Sequence, residues 1–342
     1  MHFSSSQSPV SQTRCAECHP GQAQSLSQAP HSLTLHPSSS PEIATRFDGL
    51  TFRPTTTVNW TDTFEVRDQK LWRTSSALPD SIPVDWIFGS NRHAQTPVTV
   101  RDTPRGTTEL LEHSLSYYPG VGLDLTLGTV ETKTVAAPGW HGLGKQLTSS
   151  ETVDCFGCHS TWLPYDGGQL DLKRIVAGVQ CTRCHLGGEA HLEAAQSGQA
   201  NLRMERWSAL TPLESIRRCG ECHRRDDQLT TDELRPDNLL LVRFAPVGLS
   251  QSRCFQSQSE TVGARDTPAR MDCMTCHDPH RPADTDASYY NNRCLSCHSD
   301  PARGSLCSSK ASTEHCIDCH MPKIEVQKHL LFTDHWIRKR PN

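Results

Sequence analysis

Cys273-Met-Thr-Cys276-His277-Asp-Pro-His280 decides how the rest of the chain is read. Two thiols three residues apart, followed at once by a histidine, are spaced to take the two vinyl groups of one haem and to ligate its iron from the proximal side. The same Cys-x-x-Cys-His pattern recurs at Cys15/Cys18/His19, Cys155/Cys158/His159, Cys181/Cys184/His185 and Cys219/Cys222/His223. It returns at Cys294/Cys297/His298 and Cys316/Cys319/His320, making seven copies that use 14 of the 16 cysteines. At these Cys and His frequencies chance supplies roughly 0.04 copies, so the repetition carries chemistry.

Other uses of paired cysteines fit less well. Zinc takes four ligands per ion, so seven motifs would leave one unpaired, and zinc gives no reason for the histidine. A thioredoxin-type redox pair occurs singly on a βαβ unit. A disulfide framework does not hold every pair at one spacing. Seven covalent haem c groups are therefore expected. The remaining Cys254 and Cys307 are expected to form a structural disulfide, the alternative being a thiol that ligates or touches a haem.

Composition agrees with a cofactor-built core. Hydrophobic residues make up 35% of the 342-residue chain; with Gly counted in place of Tyr the share is about 40%, where an ordinary globular chain has about 45–50%. Flat apolar macrocycles compensate for that shortage, and covalent links with iron–His bonds hold a chain that is expected to be largely unfolded without them. The net charge of −4 argues against a phosphate-neutralising nucleic-acid surface. The most apolar segment, Asn238–Leu249, is broken by Arg243 and Pro246 and is too short to span a membrane. Haem c is attached on the exported side of the membrane, so a periplasmic or extracellular, cell-surface location is expected, although Met1-His-Phe-Ser-Ser-Ser lacks a basic n-region and an apolar h-region.

Intervals of 140, 26, 38, 54, 21 and 22 residues between motif starts exclude a solenoid of equal repeats. The expected division is residues 1–40 with the first motif, a Cys-free β-rich insert at 41–137, and a six-haem body at 138–342. Strand patterns run over Thr55–Trp60, Phe64–Arg67, Val84–Phe88, Val98–Arg101, Leu110–Tyr118 and Leu123–Thr134. The insert is expected to cover haem faces and deliver His93. Elsewhere loops and short α-helices wrap the haems, with one helix from Pro212 behind a Thr211 cap, a shorter one at Leu192–Gly198, and a linker at Pro37–Pro41.

Eleven histidines lie outside the motifs, more than the seven irons need as second axial ligands. His280, held by Pro279, cannot reach the far face of its own haem and is expected to cap a neighbour. His191 follows the third motif after a Gly-Gly turn in the same manner. His31 falls in an expected helix, and His329 and His335 share the C-terminal segment. Of His36, His113 and His141, the Gly-rich loop favours His141. His315 is crowded by Cys316, and His2 is terminal. Met321, Met271 and Met274 sit too close to motifs, leaving Met204 as the methionine alternative.

Several stretches resemble the bacterial multihaem c-type cytochromes related to the electron-accepting partner of hydroxylamine oxidoreductase, in the branch often fused to tetratricopeptide repeats. They are Cys15-Ala-Glu-Cys-His-Pro with His31, Trp86-Ile-Phe-Gly-Ser-Asn-Arg-His93-Ala, Cys155-Phe-Gly-Cys-His-Ser, and Val179-Gln-Cys-Thr-Arg-Cys-His-Leu-Gly-Gly-Glu-Ala-His191. The set continues with Cys273-Met-Thr-Cys-His-Asp-Pro-His280 and Cys316-Ile-Asp-Cys-His-Met-Pro-Lys ahead of Phe332-Thr-Asp-His335. The resemblance implies a loop-and-helix cytochrome with stacked, mostly bis-His haems. It supports His31, His93, His191, His280, His329 and His335 as distal ligands; it gives no support to His141. No tetratricopeptide repeats are expected before Asn342, which departs from that branch.

Iron ligated by histidine on both sides has no vacant position for substrate. The leading expectation is thus an electron carrier without catalytic activity, working with redox partner proteins or extracellular acceptors. The alternatives are a self-associating subunit of a conducting extracellular filament and a reductase of nitrite, hydroxylamine or a sulfur oxyanion at one open-faced haem.

Overall fold

In the computed structural model, residues 9–54, 60–104, 106–129, 142–166, 169–259, 270–299 and 315–340 are described. The chain divides into two compact units, Met1–Met204 and Glu205–Asn342. No helix among the described residues is long and apolar enough to cross a membrane.

The first unit begins with α1 (Gln12–Ala16), α2 (Pro20–Ser27), β1 (Leu35–Pro37) and α3 (Pro41–Phe47). Pro41 stands at the start of α3, where its missing N–H costs nothing, so the helix opens at the end of the expected linker. Strands follow as β2 (Thr51–Phe52), β3 (Asp62–Arg67), β4 (Lys70–Ser75), β5 (Ile82–Pro83), β6 (Trp86–Phe88), β7 (Thr96–Asp102), β8 (Thr108–His113), β9 (Leu115–Tyr118), β10 (Gly122–Leu125) and β11 (Gly144–Leu147). They form a five-stranded antiparallel sheet in the order β1-β6-β7-β8-β11 and a four-stranded one in the order β2-β3-β4-β5, with β9 and β10 paired as a ribbon. The expected Leu110–Tyr118 strand is two strands, β8 and β9. Thr55–Asn59 and the stretch beyond Thr129 lie outside the described residues.

Ile43, Phe47, Phe64, Leu71, Val84, Ile87 and Leu115 are completely buried together. A second cluster joins Leu35, Val98, Leu110, Leu147, Phe156 and Leu163. Alternation along β4 turns Leu71, Arg73 and Ser75 inward. Arg73 is 1% exposed, and its Nη2 donates to Asp62 Oδ2 at 2.6 Å and to Ser114 Oγ at 3.1 Å, while Nη1 donates to the Leu143 carbonyl at 2.8 Å. The Thr99 hydroxyl donates to the Pro83 carbonyl, so it accepts from His113 Nε2 at 2.9 Å. That leaves His113 Nδ1 as the acceptor facing Arg73 Nη1 at 3.5 Å. Burial, and then the Arg73 charge, hold the His113 imidazole well below its ordinary pKa.

The unit continues with α4 (Ser149–His159), the short strands β12 (Ser160–Trp162), β13 (Tyr165–Asp166), β14 (Gln169–Leu170) and β15 (Val176–Ala177), then α5 (Cys181–Cys184) and α6 (Gly188–Gln196). Gly178, at φ +74°, lets the chain pass Ser32, whose carbonyl oxygen would lie 2.1 Å from an added Cβ.

The second unit is short helices and turns: α7 (Pro212–His223), α8 (Ala245–Ser250), α9 (Arg253–Ser259), α10 (Cys273–Cys276), α11 (Ala287–His298) and α12 (Cys316–His320), closed by the hairpin β16 (Lys323–Gln327) and β17 (Leu330–Thr333). Its core is small: Ile216, Leu249 and Phe255, with Met271, Cys273 and Ile337 against them.

Candidate haem-binding sites

Residues i, i+3 and i+4 of a helix lie on one face, so a helical turn presents both thiols and the imidazole of a Cys-x-x-Cys-His motif to the same side. All seven motifs occupy such a turn or a helix end. Local sequence fixes where these turns start. Thr148 with Glu151 and Thr211 with Glu214 form capping boxes on α4 and α7. The Asp272 carboxylate accepts from Met274 N–H ahead of α10, and Asp286 accepts from Ser288 N–H ahead of α11.

The seven copies, identical as patterns, are not identical in structure. In the first, third and fifth, the helix stops short and His19, His185 and His277 stand beyond its last residue. Cys18 lies past the end of α1, its N–H donating to the Cys15 carbonyl at 3.3 Å. His185 leaves α5 at φ −97°, ψ 87°. All three turns share one backbone bond: the histidine N–H donates to the carbonyl of the first cysteine at 2.9 Å. In the second, fourth, sixth and seventh motifs the helix runs through the histidine, so Cys158 with His159, Cys222 with His223, Cys297 with His298 and Cys319 with His320 close α4, α7, α11 and α12. The second thiols also differ in exposure. Cys18, Cys222 and Cys319 are exposed, whereas Cys158, Cys184, Cys276 and Cys297 are half-buried. The spacing shows neither difference, because both are set by what packs around each turn.

The imidazoles are anchored in a common manner. His159 Nδ1 is 2.9 Å from the Thr34 carbonyl, and His320 Nδ1 is 2.9 Å from the Arg338 carbonyl. Among the expected distal residues, His191 Nδ1 is 3.0 Å from the Leu202 carbonyl and His335 Nδ1 is 2.9 Å from the Thr333 carbonyl. A carbonyl accepts only, so each ring carries its proton on Nδ1 and presents a bare Nε2, the form a metal ligand takes. Burial pushes the pKa of His159, His277 and His335 down, which also favours the neutral ring.

Two motif histidines have a second imidazole close by. The ring centroids of His19 and His191 are 6.4 Å apart with planes 25° from parallel, and those of His277 and His335 are 6.2 Å apart at 42°. Two imidazoles on opposite sides of one metal, each bonded through nitrogen at about 2 Å, have centroids about 6 Å apart. His335 reaches this place because Gly248 has no side chain: a Cβ there would lie 2.7 Å from Trp336 N and 2.8 Å from the His335 carbonyl carbon. Phe88 of β6 meets the His159 ring edge-on at 4.9 Å.

The thiols are laid out for the same group. None of the described cysteines forms a disulfide, and among the described residues no three His, Cys, Asp or Glu side chains converge as a metal cage. The Cys15 and Cys181 thiols share a hydrogen bond, and burial pushes Cys15 up to about 11. Burial likewise pushes Cys155 and Cys294 up to about 11, keeping them protonated thiols at neutral pH. The residues present therefore fit covalent haem.

The remaining expected residues are dispersed. His31 lies in a turn rather than a helix, its carbonyl accepting from Val179 N–H at 2.8 Å. His93 is exposed in the bend between β6 and β7. His280 Nδ1 sits 3.0 Å from Asp278 Oδ1, and His329 holds the β16–β17 turn at φ +70°. His141, Cys307 and hence the Cys254–Cys307 disulfide lie outside the described residues; Cys254 donates to Ser252 Oγ. His36 is turned into the fold, with Nε2 2.7 Å from the Leu33 carbonyl and Nδ1 3.3 Å from Glu42. The sequence carried no sign of the His113–Arg73–Asp62 network, because inward-facing Arg73 and Asp62 read as ordinary surface charges.

Residues 130–186 match the family described as cytochrome c554 and c-prime. The chain is similar to the dissimilatory sulfite reductase MccA of Wolinella succinogenes, with 22% identity over 92% of this chain and 47% of the relative. It thus spans about half the length of that curated relative. Among solved structures, the outer cell wall cytochrome OcwA aligns with a TM-score of 0.51 at 13% identity, over 95% of this chain and 78% of the other; that likeness shows the fold. One expectation is corrected here. A carrier without catalytic activity is not what this similarity supports, since the curated relative is a reductase. The physical reason is that one missing distal ligand turns an electron conduit into a reductive site, and distal ligands come from remote parts of the chain.

Proposed function

We propose that this chain is a multihaem c-type cytochrome of electron transfer that holds seven covalent haems, mainly with histidine on both sides of the iron. The observation that carries this reading is the neighbouring imidazole pairs, His19 with His191 and His277 with His335, at 6.4 and 6.2 Å between ring centroids. Bound haem supplies a one-electron Fe(III)/Fe(II) couple at each site.

The chain's residues do the rest. Each Cys pair would hold one haem covalently, with the motif histidine as an iron ligand. His191 and His335 would supply the second ligand at the first and fifth motifs, while His31, His93, His141, His280 and His329 are the candidates for the others. The carbonyls of Thr34, Leu202, Arg338 and Thr333 hold the imidazoles in register, which raises ligand basicity and tunes each potential. The β-rich insert shields the second motif through Phe88.

A second reading rests on the reductase relative: reduction of a sulfur oxyanion where one motif histidine has no partner across the iron. The haem chemistry and the outer cell wall neighbour favour work outside the cytoplasm. A pyridine haemochrome assay with intact-protein mass is expected to return seven haems per chain; four or fewer in matured protein would refute the reading. Sulfite turnover with a low-potential donor separates the two versions.

A further inference from the structure

Beyond the haem ligands, the second unit holds a pair of positive charges that nothing in that function explains. The Arg224 guanidinium lies 5.2 Å and that of Arg243 4.7 Å from the centroid of the Phe244 ring. The two cations are therefore no more than about 10 Å apart. The ring attracts both and neutralises neither. Phe244 is firmly held between the Leu239–Arg243 turn and α8: its N–H donates to the Leu241 carbonyl at 2.8 Å, and its carbonyl accepts from Val247 and Gly248. Arg243 is partly buried, and its Nε has no hydrogen-bond partner among the described residues. Burial and then the nearby Arg224 lower its pKa. Arg224 follows His223 directly and adopts φ 66°, ψ 145°, a conformation ordinarily left to glycine.

Neighbouring acids are already engaged. Asp227 is taken by Arg225 and approached by Arg217, and the Glu233 carboxylate accepts from Thr230 N–H and Oγ1 while feeling Arg224 only weakly. Two guanidinium forks beside an apolar ring, with one donor buried and unused, lack an anion.

We propose that Arg224 and Arg243 form a clamp for an oxyanion next to the fourth motif. The guanidinium fork suits a planar or pyramidal group with two or three oxygens. Two sources share that chemistry: a carboxylate of the haem held by Cys219, Cys222 and His223, or a free sulfur oxyanion. The first source rests on the haem reading; the second does not.

The test uses the holoprotein with its haem count verified. Sulfite is titrated anaerobically at matched ionic strength by calorimetry, and the potential of each haem is measured by redox titration, for wild type, Arg224→Gln, Arg243→Gln and Arg243→Lys. Saturable one-to-one sulfite binding, weakened at least about tenfold in both Gln variants and less in the Lys variant, supports the free oxyanion. No sulfite binding, but a fall in the potential of one haem in the Gln variants at unchanged haem content, supports the carboxylate. Unchanged binding and unchanged potentials would overturn the clamp. Exposed Arg224 can be replaced without disturbing a core, so that variant stands even where Arg243→Gln fails to mature. A wild-type haem count of four or fewer would count against the haem reading separately.

Discussion

The β-rich part of Met1–Met204 and the motif-dense Glu205–Asn342 solve the problem of stability in opposite ways. The twelve largest fully buried side chains, from Ile43 to Leu163, all lie in the first unit. Its described residues include 24 buried hydrophobic side chains, against seven in the second. The first unit can also enclose an Arg–Asp–His network, which only a well-packed interior tolerates. Among its described residues the second has four motifs and a three-residue buried cluster, little apolar burial for a unit of 138 residues. The proposed macrocycles would supply the rest of its interior. The comparison also gives the sequence expectation of a chain largely unfolded without haem a location, because two sheets have an apolar core of their own.

The largest expected effect breaks the comparison outright. In chain produced without haem attachment, hydrogen exchange is expected to leave the amides of β3, β4, β7 and β8 protected while those of residues 212–223 and 287–298 exchange as in a denatured chain. Equal protection of both regions would remove the contrast. Next in size, Arg73→Ala leaves Asp62 charged and unpaired in the interior. It is expected to cost about 3–5 kcal/mol in urea unfolding of the first unit.

His113 sharpens the same point through pH. Its folded pKa lies well below the ordinary value, so below about 6.5 the unfolded chain binds a proton that the folded chain does not. Stability conferred by this group is complete above that pH and is lost as pH falls, with a slope of up to about 1.4 kcal/mol per unit. Unfolding midpoints at pH 7, 6 and 5 measure it, and His113→Gln is expected to flatten the slope. The smallest effect concerns a helix end: Thr211→Ala removes the cap on α7 and is expected to cost about 1 kcal/mol, read from the thermal midpoint of the holoprotein.

Much of this could be read along the chain. Cys-x-x-Cys-His is a local pattern, and so is Thr211-Pro212 ahead of a helix. Strands β3, β6, β7 and β8 follow from alternation. Strand β4 escaped because Lys-Leu-Trp-Arg-Thr-Ser carries a buried arginine, which reads as a surface residue. Which expected distal histidine lies beside which motif escaped for a different reason. His19 and His191 are separated by the whole insert, and His277 meets His335 only through the contact of α8 with the C-terminal segment. Such pairing is a property of packing, and no spacing rule encodes it. For the same reason, sequence patterns could not distinguish a fully ligated conduit from one with an open iron.

Low-temperature EPR of the oxidised holoprotein, wild type against His335→Ala, tests the central claim most directly. The expected result is the loss of one low-spin haem signal and the gain of high-spin ferric signal integrating to one further haem, at unchanged haem content. Superimposable spectra would contradict the placing of His277 and His335 on one iron.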